Sequence, residues 1–95
     1  MTKCRVDELE GDQLLHAFYA AWGERVMPSL EDLLEREHIS IWSMNYGWEA
    51  AAAVDNWAGP LVGDWKTPAI KGRTAKEAVL RCYVASRFGE EVDLP

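Results

Sequence analysis

The closing segment, Thr74 to Pro95, constrains the fold more than any other part of the chain. Thr74 followed three residues later by Glu77 has capping-box spacing, so a helix is expected to start there. Gly89 supplies the left-handed position that stops it. Between them Ala75, Ala78, Val79, Cys82 and Ser86 recur at helical spacing and form a narrow face of small residues. Such a face lets a helix approach a sheet closely. Leu80, Tyr83, Val84 and Phe88 widen the apolar surface, which predicts burial over much of the circumference. Lys76, Glu77, Arg81 and Arg87 make up the polar remainder, and Arg87 in the last turn suits the helix dipole. An acidic tail follows the stop.

At 95 residues the chain is expected to be one domain, 1–95, around a single modest core. It is 48% hydrophobic and 27% charged, as globular chains are and disordered ones are not. Its longest apolar run, Ala50 to Val54, is too short for a membrane span. Asp7, Glu8, Glu10 and Asp12 interrupt any signal-peptide core, so a cytoplasmic home is expected, with Cys4 and Cys82 as reduced thiols.

The net charge of −6 is unevenly distributed. Residues 1–65 balance at −8, residues 66–87 at +5 and the tail at −3. An acidic chain is a poor non-specific ligand for nucleic acid, because phosphate contacts dominate that affinity. The segment with Lys66, Lys71, Arg73, Lys76, Arg81 and Arg87 can still form a local basic patch. The blander alternative spreads these charges around a helix and pairs them with the acidic half.

Upstream, Lys3 to Val6 gives a weak signal for a short edge strand. Asp12 is the expected N-cap of a first helix running to Trp22, with Leu14, Leu15, Phe18, Tyr19 and Trp22 as its apolar stripe and Gly23 as its stop. Pro28-Ser29 opens a second helix to residue 38, apolar at Leu30, Leu33 and Leu34 and acidic at Glu31, Asp32, Glu35 and Glu37. Ile39 to Met44 reads as a strand. Asn45-Tyr46-Gly47 reads as a three-residue hairpin loop with Gly47 left-handed. Trp48 to Val54 reads as the returning strand, although its alanine run prefers helix. Asp55 to Gly72 reads as loop, punctuated by Gly59-Pro60, Gly63-Asp64 and Thr67-Pro68.

Three blocks resemble the NinX-type proteins of bacteriophages and prophages and the related phage ABA-sandwich domains. The first is Leu9-x-Gly11-x-x-Leu14-x-x-Ala17-Phe18 with Gly23. The second is Pro28-Ser29, Ile39-Ser40-Ile41 and Trp48-x-Ala50. The third and most specific is Ala78-x-x-x-Cys82-Tyr83-Val84-Ala85-Ser86-x-Phe88-Gly89-Glu90-Glu91-Val92. The likeness lapses over Asn56 to Arg73. It implies an α+β fold with three helices packed on both faces of a small antiparallel hairpin sheet, an α/β/α sandwich. It also implies a bacterial host cytoplasm, and it supplies no catalytic residues.

No constellation carrying chemistry is expected, and no cofactor. Cys4, His16, His38 and Cys82 are spaced by 12, 22 and 44 residues, which fits no common zinc pattern. No P-loop, nucleophile elbow or dinucleotide fingerprint is present. Cys82 falls within a buried helix face, where thiols are usually inert. The five tryptophans are the unusual feature, and four lie between Trp42 and Trp65. Trp42 and Trp48 are expected to flank the hairpin and pack under the helices. For Trp57 and Trp65 two roles stay open, as hydrophobic anchors of the loop or as a recognition surface.

These residues leave an expected function of protein–protein interaction with a phage or host partner, with self-association as one form. Trp57, Trp65, Lys71, Arg73, Lys76 and Arg81 are the candidate contact residues. Nucleic-acid binding through residues 66–87 is the alternative, and an acidic DNA mimic using the second helix is a variant.

Overall fold

The computed structural model describes residues 2–24, 26–52 and 69–94. Within them the order is β1 (Thr2–Arg5), a 3-10 turn (Val6–Glu8), α1 (Gly11–Trp22), α2 (Leu30–Arg36), β2 (Ile39–Met44), β3 (Gly47–Ala52), β4 (Ile70–Gly72), α3 (Ala75–Phe88) and β5 (Glu91–Leu94). This is a small α+β fold with three helices and antiparallel sheets, one of order β2-β3-β4 and one of order β1-β5.

The final helix is the centre of the molecule. Every residue from Ala78 to Ala85 is buried. The three-stranded sheet packs on one side of α3, α1 packs elsewhere on it, and α2 lies against α3 and β2. The stack therefore has α3, rather than the sheet, as its middle layer. Small residues make this possible. Gly72 on β4 lies so close to α3 that an added Cβ would stand 2.7 Å from the Ala78 Cα. Opposite the sheet, Phe18 and Trp22 of α1 meet Tyr83, with ring centroids 5.3 and 5.6 Å away. Arg36 at the end of α2 lies over Trp22 of α1, Arg87 lies over Tyr83 one turn back on α3, and Arg87 also pairs with Glu37, which ties the end of α3 to the end of α2.

The caps show which local signals governed. The Thr74 hydroxyl accepts from the Glu77 amide at 3.1 Å, as expected. The Glu77 carboxylate, however, accepts from the Arg73 amide, one residue before the cap. Ser29 caps α2 by accepting from the Asp32 amide. That helix ends at Arg36, shorter than expected, because His38 takes a left-handed φ of 52° to turn the chain into β2. At α1 the N-cap is Glu10, with no side-chain capping bond. Asp12 sits instead in the first turn, where its charge suits the dipole.

Three strand assignments differ from the sequence reading. The hairpin turn is Asn45-Tyr46, and Gly47 already belongs to β3 at φ 141°, pressed against the Gly72 carbonyl. Residues 70–72, expected as loop, form β4 because Ile70 and Gly72 face α3 while Lys71 faces out. The acidic tail, expected to trail from the helix, is β5 and pairs with β1. Its partner explains this. Lys3 stands opposite Asp93 and Arg5 opposite Glu91, so unlike charges meet across the ladder, and Cys4 and Val92 pack on the core between them. The strand at 47–52 overrides the helix preference of its alanines, because Ala50 and Ala52 leave room for α3.

Cys82 is fully buried, as its helix face predicts, while Cys4 is half-buried. A thiol reagent added to native protein is expected to modify Cys82 far more slowly than in urea. Fast native labelling of both cysteines would mean that α3 opens readily.

Candidate functional site

The three-stranded sheet has one face on α3 and one face away from it. Register assigns the side chains. Ile39, Ile41, Trp48, Ala50 and Ile70 share the α3 side, and Trp42, Met44, Glu49 and Lys71 share the other. The two hairpin tryptophans are thus divided. Trp48 packs against the core as expected, but Trp42 is on the outer face and is not a core residue. A strand alternates strictly, and Trp42 stands opposite Glu49 whereas Trp48 stands opposite Ser43.

Glu49 organises this outer face. Its carboxylate accepts from the Trp42 indole Nε1 at 2.8 Å and from the Tyr46 hydroxyl at 2.5 Å. Lys71, its cross-strand neighbour on β4, places its Nζ 5.0 Å from the centre of the Tyr46 ring. A tryptophan, a tyrosine, a carboxylate and an ammonium group are held in one arrangement. Tyr46 remains 48% exposed and Met44 38% exposed beside them.

The electrostatics follow from the hydrogen bonds. Those from Tyr46 and Trp42, with a smaller effect of the Lys71 charge, hold the Glu49 carboxyl below its ordinary range. The same bond to Glu49 raises the Tyr46 phenol, since ionising it would set two anions together. A glutamate lowered in this way stabilises the folded state above its unfolded pKa. That contribution disappears as pH falls through the lower, folded value. Acidification below the ordinary glutamate range is therefore expected to release Trp42 before global unfolding. The Trp42 indole N–H resonance should shift with a midpoint below that range in wild type and show no such titration in Glu49→Gln.

The basic candidates separate on inspection. Lys71, Arg73 and Lys76 are exposed. Arg73 pairs with Glu10 and Glu77, so much of its charge is answered. Arg81 does not belong to a surface at all. It is 8% exposed, and its guanidinium donates to the Leu9 carbonyl at 2.7 Å and the Lys71 carbonyl at 2.8 Å and pairs with Glu77. Its helical position gave no sign of those distant acceptors. Trp57, Trp65 and Lys66 lie outside the described residues.

Sequence reasoning missed the outer face as a unit. The signal was the alternation Trp42-Ser43-Met44 against Trp48-Glu49, which sets Trp42 beside Glu49 once the turn is fixed at two residues. Among the described residues no group of three or more His, Cys, Asp or Glu side chains is placed to hold a metal ion. No described helix is long and apolar enough to cross a membrane. No protein-family model matches the chain, and no curated protein or solved structure matches it.

Proposed function

We propose that this domain is a protein-docking module. In the setting its resemblance implies, it serves as an accessory protein of a phage or prophage in the bacterial cytoplasm. The observation that carries this reading is the outer sheet face, where Trp42, Met44 and Tyr46 are gathered around Glu49 and Lys71. Tryptophan, tyrosine and methionine are the residues enriched in protein interfaces. Rings already fixed by Glu49 lose little freedom on binding, so more of the contact energy becomes affinity. Trp57 and Trp65 extend the proposal as further contact residues.

Nucleic-acid binding is the weaker reading. Arg81 is internal, Arg73 is paired, and Lys71 stands next to Glu49, so of these candidates among the described residues only Lys76 offers phosphates an exposed charge with no acid paired to it or opposite it. The acidic-mimic variant would act instead through Glu31, Asp32 and Glu35, all exposed on α2.

The test is capture from phage-infected or prophage-induced cells with tagged wild type, Tyr46→Ala and Met44→Asp. Both substitutions are at exposed positions, so the fold is expected to remain. The docking reading expects one protein to be retained by wild type and lost from both variants. Salt-sensitive retention of the wild type on duplex DNA would support the nucleic-acid reading instead. Capture unaffected by either variant, but lost when the α2 acids are changed, would move the site to that helix.

A further inference from the structure

The second sheet has an open side of its own. β5 pairs with β1 along one edge, and among the described residues no strand lies along the other. That edge borders a groove of about 350 Å³ whose far wall is α1. Three successive residues of β5, Glu91, Val92 and Asp93, line it. Successive strand residues point to opposite faces, so a space that all three line runs along the strand's edge rather than over a face. Ala17 and Ala20 make the helix wall low, and Phe88, 44% exposed, also lines the groove.

We propose that this groove binds an extended peptide segment of a partner protein, which adds a third strand to the β1–β5 sheet. A strand and a facing helix give such a segment two kinds of contact. The free backbone groups of β5 supply ladder hydrogen bonds, and the space toward Ala17 and Ala20 takes alternate side chains. The charge of the occupant is set by β5. Glu91 and Asp93 stand on one face with Val92 between them on the other, and β1 answers this pattern with Arg5, Lys3 and Cys4. A strand along the opposite edge meets the same three side chains, so its complement is again basic, small apolar, basic. A second copy pairing β5 to β5 would set carboxylates against carboxylates, which disfavours self-association by that route. A second copy's β1 has the right charges, but it is flanked by its own Glu8, Leu9 and Gln13, which a groove walled by α1 has less room to admit than a lone segment. This site is separate from the outer face of the three-stranded sheet and does not depend on that face being a docking surface.

The test uses the full chain and a fluorescein-labelled nonapeptide in which Lys or Arg alternates with Val, read by fluorescence anisotropy. Saturable binding is expected, weakened about tenfold or more when the basic residues become Glu. The same peptide N-methylated at alternate amides, which removes ladder donors, is expected to bind at least tenfold more weakly. Ala20→Trp fills the groove from an exposed helix position and should abolish binding. Glu91→Gln alone, which leaves Asp93 opposite Lys3 to support the β1–β5 pair, should weaken it. Absence of binding, equal binding of the N-methylated peptide, or full binding to Ala20→Trp each overturns the proposal. Sedimentation of the protein alone provides a further check. Concentration-dependent assembly that Lys3→Glu and Ala20→Trp both abolish would assign the groove to a second copy and likewise overturn it.

Discussion

Gly72→Ala is expected to destabilise the domain by about 3 kcal/mol, a large part of the ~5–10 kcal/mol that holds a domain of this size. Thermal melting should show it as a fall of about 15 °C or more. An added Cβ at Gly72 would stand 2.7 Å from the Ala78 Cα and 2.9 Å from its Cβ. The obstacle is mostly helix backbone, which cannot swing aside as a flexible side-chain end can. The methyl group must push α3 off the sheet, and α3 touches the other two helices as well as β4 and β3. Strain at one contact is therefore shared by the whole core. Gly23→Ala is the matched control. Gly23 has a φ of 87° but nothing within 4 Å of an added Cβ, so only the backbone conformation is penalised, by about 1 kcal/mol. Equal melting points for the two variants would show that the helix–sheet contact has slack.

Gly72 also marks where sequence stops being legible. A glycine followed by Arg73-Thr74 reads as punctuation before a helix, and it does stand just before one. What makes it structural is the approach of Ala78, six residues on, and that depends on how β4 is laid beside β3. Local rules carried the reading where the decisive contacts were local. Thr74 and Ser29 cap their helices, Gly23 stops its helix in the left-handed conformation, Gly89 stops its own with a positive φ of 87° but an extended ψ of −163° in place of the expected left-handed turn, and the β2–β3 hairpin forms from its turn and flanking strands. They failed where a strand exists only because of a distant partner. β5 needs Lys3 and Arg5, some ninety residues earlier in the chain, and β4 has only three residues and no pattern of its own. The outer-face site falls between these cases. Trp42 and Glu49 are seven residues apart and were predictable from register, but Lys71 enters only through β4.

Arg81 shows the same division between local and distant contacts, with a large expected effect. Four residues after Glu77 on a helix, it reads as an exposed cation available to a partner. In the fold it is a buried strut. Its Nε donates to Leu9, at the entry to α1, its Nη1 to Lys71 on β4, and its Nη2 pairs with Glu77 at 3.3 Å. One guanidinium thus joins the distant chain before α1 to β4 and to its own helix. Arg81→Met keeps much of the stem's packing but leaves two carbonyls without this donor and the part-buried Glu77 carboxylate without the nearer of its two cations, the exposed Arg73 being the other. The expected cost is about 3–5 kcal/mol, the range for removing one partner of a buried pair. Urea denaturation should show a midpoint lowered by ~2 M or more. Arg81→Lys is expected to recover only a minor part, because a single ammonium cannot reproduce the planar fork that reaches three acceptors in different directions. Adding Glu77→Gln to Arg81→Met removes a part-buried charge then left only with the more distant Arg73, and should restore about 1 kcal/mol, a coupling that a double-mutant cycle measures directly. A surface role predicts the reverse pattern. Arg81→Met would then melt like wild type and fail only in partner capture, and that result would place the guanidinium outside the core.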